Sequence, residues 1–216
     1  LISNDKGAEL NNSTTQLLSF DSDGFTIGSD SGVNGSSRTF VSWNWKADNT
    51  SGSSNTDGDI TSTVSANTTA GFSIVSWTGN GTSGSTVGHG LSQEPQLILQ
   101  KNRDNAFEWA STTTAVDGSL DFFYLDLTNA AADVSSDSNS DTVFTVYDDY
   151  TNQSGANHIA YCFHSVEGYS KIGSYTGNGS TDGPFVYTGF RPAWVMVKAT
   201  GTASSWFIWD VERNTY

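Results

Sequence analysis

The chain has 216 residues, of which 35% are hydrophobic and only 15% are charged. Its formal net charge is −14, from 9 Lys and Arg against 23 Asp and Glu, so it lacks the clustered basic residues that nucleic acid or an anionic membrane surface requires. It contains no long apolar run, and its single cysteine, Cys162, excludes an internal disulfide framework. We therefore expect no nucleic-acid partner and no membrane insertion.

Short runs in which apolar and polar residues alternate carry the aromatic side chains of the chain. Such alternation predicts half-buried β-strands, and the Gly, Asn, Asp and Ser clusters between the runs favour turns. In chain order, the predicted strands are 25–27, 40–45, 72–77, 97–101, 122–127, 143–147, 159–163, 172–175, 185–187, 194–198 and 206–209. Residues 128–134 are predicted to form one helical turn, and the Ser, Asn, Thr and Gly-rich residues 48–70 a linker.

Two half-repeats, X and Y, recur in the order Y–X–Y–X. The X half comprises residues 71–81 and 95–101, which match residues 168–179 and 192–198. The Y half comprises residues 23–27 and 40–45, which match residues 142–146 and 159–164. Repetition of this kind is typical of modular proteins. Ile98 and Val195 are matched positions, and we expect both to be buried.

The strand pattern predicts an all-β fold, an antiparallel β-sandwich or jelly-roll made of two related repeats, with a propeller as the alternative. Residues 71–167 contain one X and one Y half and are predicted to form a complete repeat. The terminal half-repeats, within 1–47 and 168–216, are predicted to form a second lobe. The two terminal half-repeats either pack against each other within one chain, which we favour, or complete the lobe of a neighbouring subunit by strand addition.

Several strings of residues resemble a family of poorly characterised repeat domains found in large structural proteins of marine bacteriophages and in related marine bacterial proteins. These strings are residues 20–30, 41–47, 87–91, 101–104 and 161–194. The resemblance implies a concanavalin-like sandwich in a virion fibre, tail or surface-decoration protein, with other virion or filament subunits as partners and a homo-oligomeric state. It implies no catalytic residue.

Five residues are candidates for ligand binding. The Thr-Gly-Asn-Gly turns at 78–81 and 176–179 place Asn80 beside Trp77 and Asn178 beside Tyr175, which suits a sugar-binding loop. His89 lies between two glycines and is the fifth candidate. Each also has a structural interpretation, since Asn-Gly favours tight turns and a Trp in a strand is often core.

Acidic pairs in predicted turns offer the hard oxygen atoms that Ca²⁺ prefers. The candidates are Asp21, Asp23, Asp57, Asp59, Asp148 and Asp149. None has EF-hand spacing, and solvated turn carboxylates are the alternative interpretation. Calcium is the only cofactor for which the sequence gives any indication.

The sequence carries no recognisable catalytic constellation. It contains no Gly-x-Ser-x-Gly elbow after an apolar strand, and Glu94, Glu108 and Glu167 stand at positions that the repeat does not pair. We predict a non-enzymatic structural or adhesive module of a virion or extracellular assembly. A carbohydrate-binding, lectin-like domain that attaches to a cell-surface glycan is the alternative, and a glycan-degrading enzyme is a third interpretation.

Overall fold

The computed structural model describes residues 1–10, 14–48, 50–134 and 139–213. The predicted segments 1–47, 48–70, 71–167 and 168–216 also include positions 11–13, 49, 135–138 and 214–216, which lie outside the described residues. The elements are, in chain order, β1 (Leu17–Phe20), β2 (Phe25–Ile27), α1 (Ser31–Asn34), β3 (Ser53–Asn55), β4 (Ser62–Asn67), β5 (Phe72–Thr78), β6 (Ser85–Gly88), β7 (Leu97–Asn102), β8 (Ala110–Thr113), β9 (Asp121–Tyr124), β10 (Ala132–Asp133), β11 (Val143–Val146), α2 (Asp149–Asn152), β12 (Asn157–Phe163), β13 (Trp194–Val197) and β14 (Phe207–Asp210).

An eight-stranded antiparallel sheet forms one layer of the protein, with the strand order β10-β9-β8-β7-β12-β5-β4-β3. β12 lies between β5 and β7 and pairs with both, so that Cys162 stands opposite Ser73 on one side and Ile98 on the other. Side chains alternate between the two faces of a strand, which places Val75, Ile98, Ala160 and Cys162 together in the buried core.

The two-stranded ribbon of β6 and β11 forms the second layer. Phe144 of β11 stands opposite Val87 of β6, and both side chains are fully buried against the large sheet. Two antiparallel layers with an apolar core between them make a β-sandwich, which confirms the predicted fold class.

The segment 48–70, predicted as a linker, contains strands β3 and β4, and this part of the prediction is wrong. β4 pairs with β5 over six residues, from Ser62 opposite Trp77 to Asn67 opposite Phe72. Its inward positions, Ser62 and Val64, are buried, but a Ser and Thr-rich strand carries a weak apolar signal. We call residues 50–167 the central lobe, because β3 and β4 belong to its sheet.

Other predicted elements also differ from the structure. Residues 40–45, 172–175 and 185–187 do not form strands, and residues 128–134 contain the short strand β10 in place of a helical turn. β10 pairs with β9, and Val134 N–H donates to the carbonyl of Leu120, so sheet pairing takes the backbone groups that a helical turn would use. The three segments without strands all belong to residues 1–47 or 168–213, which we call the terminal halves.

The terminal halves contain two hairpins, β1–β2 and β13–β14. The N-terminal and C-terminal halves contact each other through aromatic rings: Trp194 lies 6.4 Å from Trp43 and 5.8 Å from Trp45, measured between ring centroids. Trp45 also contacts Phe72 and Phe163 of the central lobe. Among the described residues, however, every buried hydrophobic side chain belongs to the central lobe.

From the helices onward, the structure shifts the sequence match between the two Y halves by one residue, whereas the match of Phe25 to Phe144 before the helices is unchanged. Helices α1 and α2 begin at the matched N-caps Asp30 and Asp148, whose carboxylates accept from Gly32 N–H and Tyr150 N–H, respectively. The match of residues 40–45 to residues 159–164 aligns the tryptophans Trp43 and Trp45 with Cys162 and His164. Aligning the two caps instead matches Trp43 to Tyr161 and Trp45 to Phe163 in sequence. The aromatic residues of the two halves then coincide.

Candidate functional site

Trp77, a candidate residue for sugar binding, lies in the core with 4% of its surface exposed. Its ring stacks on His158 at 5.4 Å and meets the edge of Phe144 at 5.5 Å. Strand β5 turns this residue toward the β6–β11 ribbon, which leaves very little of the indole for a ligand to stack on.

Asn80 belongs to a reciprocal hydrogen-bond pair with Asn152, the last residue of α2. Asn80 N–H donates to the Asn152 side-chain oxygen at 2.9 Å, and Asn152 Nδ2 donates to the Asn80 side-chain oxygen at 2.9 Å. Asn152 Nδ2 also donates to the carbonyl of Thr82 at 2.8 Å. These hydrogen bonds hold the Thr-Gly-Asn-Gly turn against α2, so the polar atoms of Asn80 stabilise the fold.

The matching turn in the C-terminal half is exposed. Asn178 accepts from Ser180 N–H at 3.0 Å, as Asn80 accepts from Thr82 N–H at 2.8 Å, so both copies make the same local turn. Tyr175 beside it is 51% exposed. The structure does not bring Asn178 to Asn34, the counterpart of Asn152 in the first Y half; the Nδ2 atom of Asn34 donates to the carbonyl of Gly28.

His89 is fully buried and neutral. Its Nδ1 accepts from Leu91 N–H at 3.1 Å, so its Nε2 carries the proton and donates to the carbonyl of Ser140 at 3.1 Å. Burial lowers the pKa of His89 below its usual value. Nδ1 therefore closes the turn through Gly90, which has a φ of 68°, and Nε2 bonds this turn to the distant residue Ser140.

The acidic candidates are spread over three separate turns. Hydroxyl groups of Thr26 and Ser19 donate to Asp21 and lower its pKa. Asp59 accepts from the N–H and hydroxyl groups of Thr86. The other positions are Asp23, exposed; Asp57, bonded to Asn55; Asp148, capping α2; and Asp149, exposed in its first turn.

Within the described ranges, no group of three or more His, Cys, Asp or Glu side chains is arranged to hold a metal ion. Most of the acidic candidates therefore have a hydrogen-bonding role in turns, and calcium binding stays a prediction from the sequence.

The most distinctive surface, which sequence reasoning missed, is apolar. Of the large hydrophobic side chains that the structure shows as exposed, all but Leu127 lie in the terminal halves. They are Leu1, Ile2, Leu10, Leu17, Leu18, Phe20, Phe25, Phe40, Trp43, Trp45, Tyr169, Tyr175, Phe185, Val186, Tyr187, Val195, Phe207, Ile208, Trp209 and Val211. Monomeric soluble proteins rarely expose contiguous apolar surface of this extent.

Part of this surface is a groove of about 1080 Å³ beside the β1–β2 hairpin. Its apolar lining includes Leu10, Leu17, Phe25, Ile27 and Phe40. Arg103 of the central lobe also lines it and is paired with Glu9 at 2.6 Å, which ties the N-terminal half to the large sheet. The signal that could have revealed the groove is the repeat itself, because Phe25 matches the core residue Phe144.

The C-terminal hairpin repeats a pairing of the central lobe. β7 pairs with β8 from Leu97 opposite Thr113 to Gln100 opposite Ala110, and β13 pairs with β14 at the matching positions, from Trp194 opposite Asp210 to Val197 opposite Phe207. Their environments differ: Ile98 is 1% exposed and its counterpart Val195 is 39% exposed. The expectation of burial is thus confirmed for Ile98 and wrong for Val195.

The helices α1 and α2 have four residues each, and none within the described ranges has the length and apolar character of a membrane span. Neither a curated protein nor a solved structure matches the chain. The sequence profile of a domain of unknown function, DUF7483, matches residues 1–216. Since that match extends over all the residues given, the chain belongs to the DUF7483 family.

Proposed function

We propose that this chain is a non-catalytic assembly module, whose terminal halves form the contact surface with other subunits of a larger extracellular or virion structure. The observation that carries the proposal is the concentration of exposed aromatic and aliphatic side chains in the terminal halves. In the central lobe, by contrast, His89 is buried, and the polar atoms of Asn80 and Asp59 are taken up by hydrogen bonds within the chain. The resemblance to structural proteins of marine bacteriophages supports the proposed location.

The proposal is tested by the mass of the protein in solution, measured by sedimentation equilibrium over a range of concentrations. We expect reversible self-association. Each chain carries a net charge of −14, so two copies repel each other and added salt screens that repulsion. Association should therefore strengthen with salt. A chain that stays monomeric at the highest concentration and in high salt would overturn the proposal.

Carbohydrate binding is the second candidate, and one observation favours it. A cleft of about 190 Å³ beside Trp77 has a polar lining that includes Thr63, Ser76, Arg103 and Asn157, groups suited to sugar hydroxyls. Binding on a glycan array that disappears in an Asn157→Ala variant, and persists in an Asn178→Ala variant, would support this cleft. An array without signal would remove the candidate.

A further inference from the structure

Strand β2 has an open edge beside the apolar groove. The β1–β2 sheet has two strands, so one edge of β2 has no strand partner among the described residues. Phe25 of β2 is 42% exposed, and Ile27 is half-buried. Both side chains line the groove, so backbone groups and apolar surface are free at the same place.

The central lobe shows what occupies the matching position. Phe144 and Val146 of β11, the counterparts of Phe25 and Ile27, are fully buried. The partner strand is β6, in which Val87 stands opposite Phe144 and Thr86 opposite Thr145. A β6-type strand is therefore the element that covers this surface in the completed lobe.

The C-terminal half contains a second copy of the β6 sequence, which pairs with no strand in the described part of the chain. Gly90 and Gly189 both have a left-handed backbone, with φ values of 68° and 85°, and aligning them matches Val87 to Val186. Residues 184–187 then correspond to β6. They form no strand, and Phe185, Val186 and Tyr187 are 89%, 45% and 78% exposed.

Each chain thus presents one acceptor edge, at β2, and one donor segment, at residues 184–187, and leaves both uncovered. Two copies related by a twofold axis can exchange the two elements reciprocally, so that both acceptor edges are filled and the contact closes. Addition of a strand to an open sheet edge supplies backbone hydrogen bonds, and the apolar side chains supply burial.

We propose that residues 184–187 of a second copy of this chain add to the open edge of β2, with Val186 opposite Phe25 and Phe185 opposite Thr26, as β6 adds to β11. This inference rests on the proposed function, because it names the partner and the contact for the same apolar surface. It makes the smallest assembly a reciprocal dimer.

Mixed crosslinking of full-length chains tests the contact. One chain carries Thr26→Cys and the other carries Phe185→Cys, so a disulfide between them can form only between two copies. Both positions are exposed. The native Cys162 is buried, with its pKa raised to about 12, and it does not compete. We expect a heterodimer on non-reducing gels, and its loss when Val186→Asp is added to the Phe185→Cys chain.

The control pairs Thr26→Cys with Thr202→Cys, an exposed position in the β13–β14 turn, and should give no crosslink. A protein that self-associates by sedimentation but gives no heterodimer overturns this contact and leaves the proposed function standing. A monomeric protein removes both. A Thr26→Cys/Phe185→Cys double variant that crosslinks within one chain shows that the edge is filled internally, and it also overturns the inference.

Discussion

The central lobe and the terminal halves contain the same half-repeats in different surroundings. Lys101 and Lys198, at matched strand ends, each donate to the carbonyl of the next residue. The hairpins β7–β8 and β13–β14 share one pairing register. The N-caps Asp30 and Asp148 each accept a hydrogen bond from the backbone N–H two residues ahead. Burial is not shared, because it requires the complementary half-repeat. Local geometry therefore follows from each half alone, whereas the core depends on how the halves are joined.

The largest expected difference between the two regions concerns matched phenylalanines. Phe144→Ala should lower the free energy of unfolding by about 3–5 kcal/mol, because Phe144 is fully buried and its removal leaves a cavity. Phe25→Ala should change it by less than about 1 kcal/mol, since Phe25 is 42% exposed. Urea denaturation of both variants, at a concentration where the protein is monomeric, measures the difference. Equal losses of unfolding free energy in the two variants would contradict the difference in burial between Phe144 and Phe25.

A smaller difference is expected for the matched asparagines. Asn152→Ala removes the reciprocal pair with Asn80 and leaves buried groups unpaired, which should cost about 1–3 kcal/mol. Asn34→Ala removes one exposed bond to the carbonyl of Gly28, a loss of about 0.5–1 kcal/mol. The same denaturation assay applies. A loss of unfolding free energy in Asn34→Ala as large as that in Asn152→Ala would contradict the difference between the two regions.

Near pH 6, the pH dependence of stability should come from the central lobe, which contains the buried His89 and His158. Burial lowers the pKa values of His89 and His158, so the unfolded chain takes up protons that the folded chain does not. Stability is then complete above about pH 6.5 and falls as the pH drops from there toward the lowered folded-state values. Denaturation midpoints at several pH values, with His89→Gln as the comparison variant, measure this. Denaturation midpoints that stay constant as the pH is lowered from 6.5 would contradict the burial of His89 and His158 in the neutral form.

The smallest effect on stability is expected at Phe185, whose exposed fraction is the largest among the aromatic residues that the structure describes. Phe185→Ser should leave the free energy of unfolding within about 0.5 kcal/mol of the parent, since the side chain is 89% exposed. The same variant should weaken self-association. A marked loss of stability in the monomer would show that residues 184–187 already pack within one chain.

The sequence predicted most strands of the central lobe, because strands such as β5, β7 and β12 alternate strongly and have partners on both sides. The sequence does not predict β4, since Ser62–Asn67 owes its structure to pairing with β5. Residues 40–45 alternate well but form no strand, because alternation does not supply a neighbouring strand. The sequence makes Trp77 a ligand candidate although it lies in the core, since the alternation does not say which face of a strand a second layer covers.

Hydrogen exchange at low and high protein concentration tests the central claim most directly, because it reports on both regions in one experiment. Amides of β5, β7 and β12 should be protected equally at both concentrations. Amides on the open edge of β2 and in residues 185–187 should be unprotected in the dilute protein and become protected as it associates. Terminal amides whose exchange is the same at both concentrations would contradict the account, whether they are protected or not.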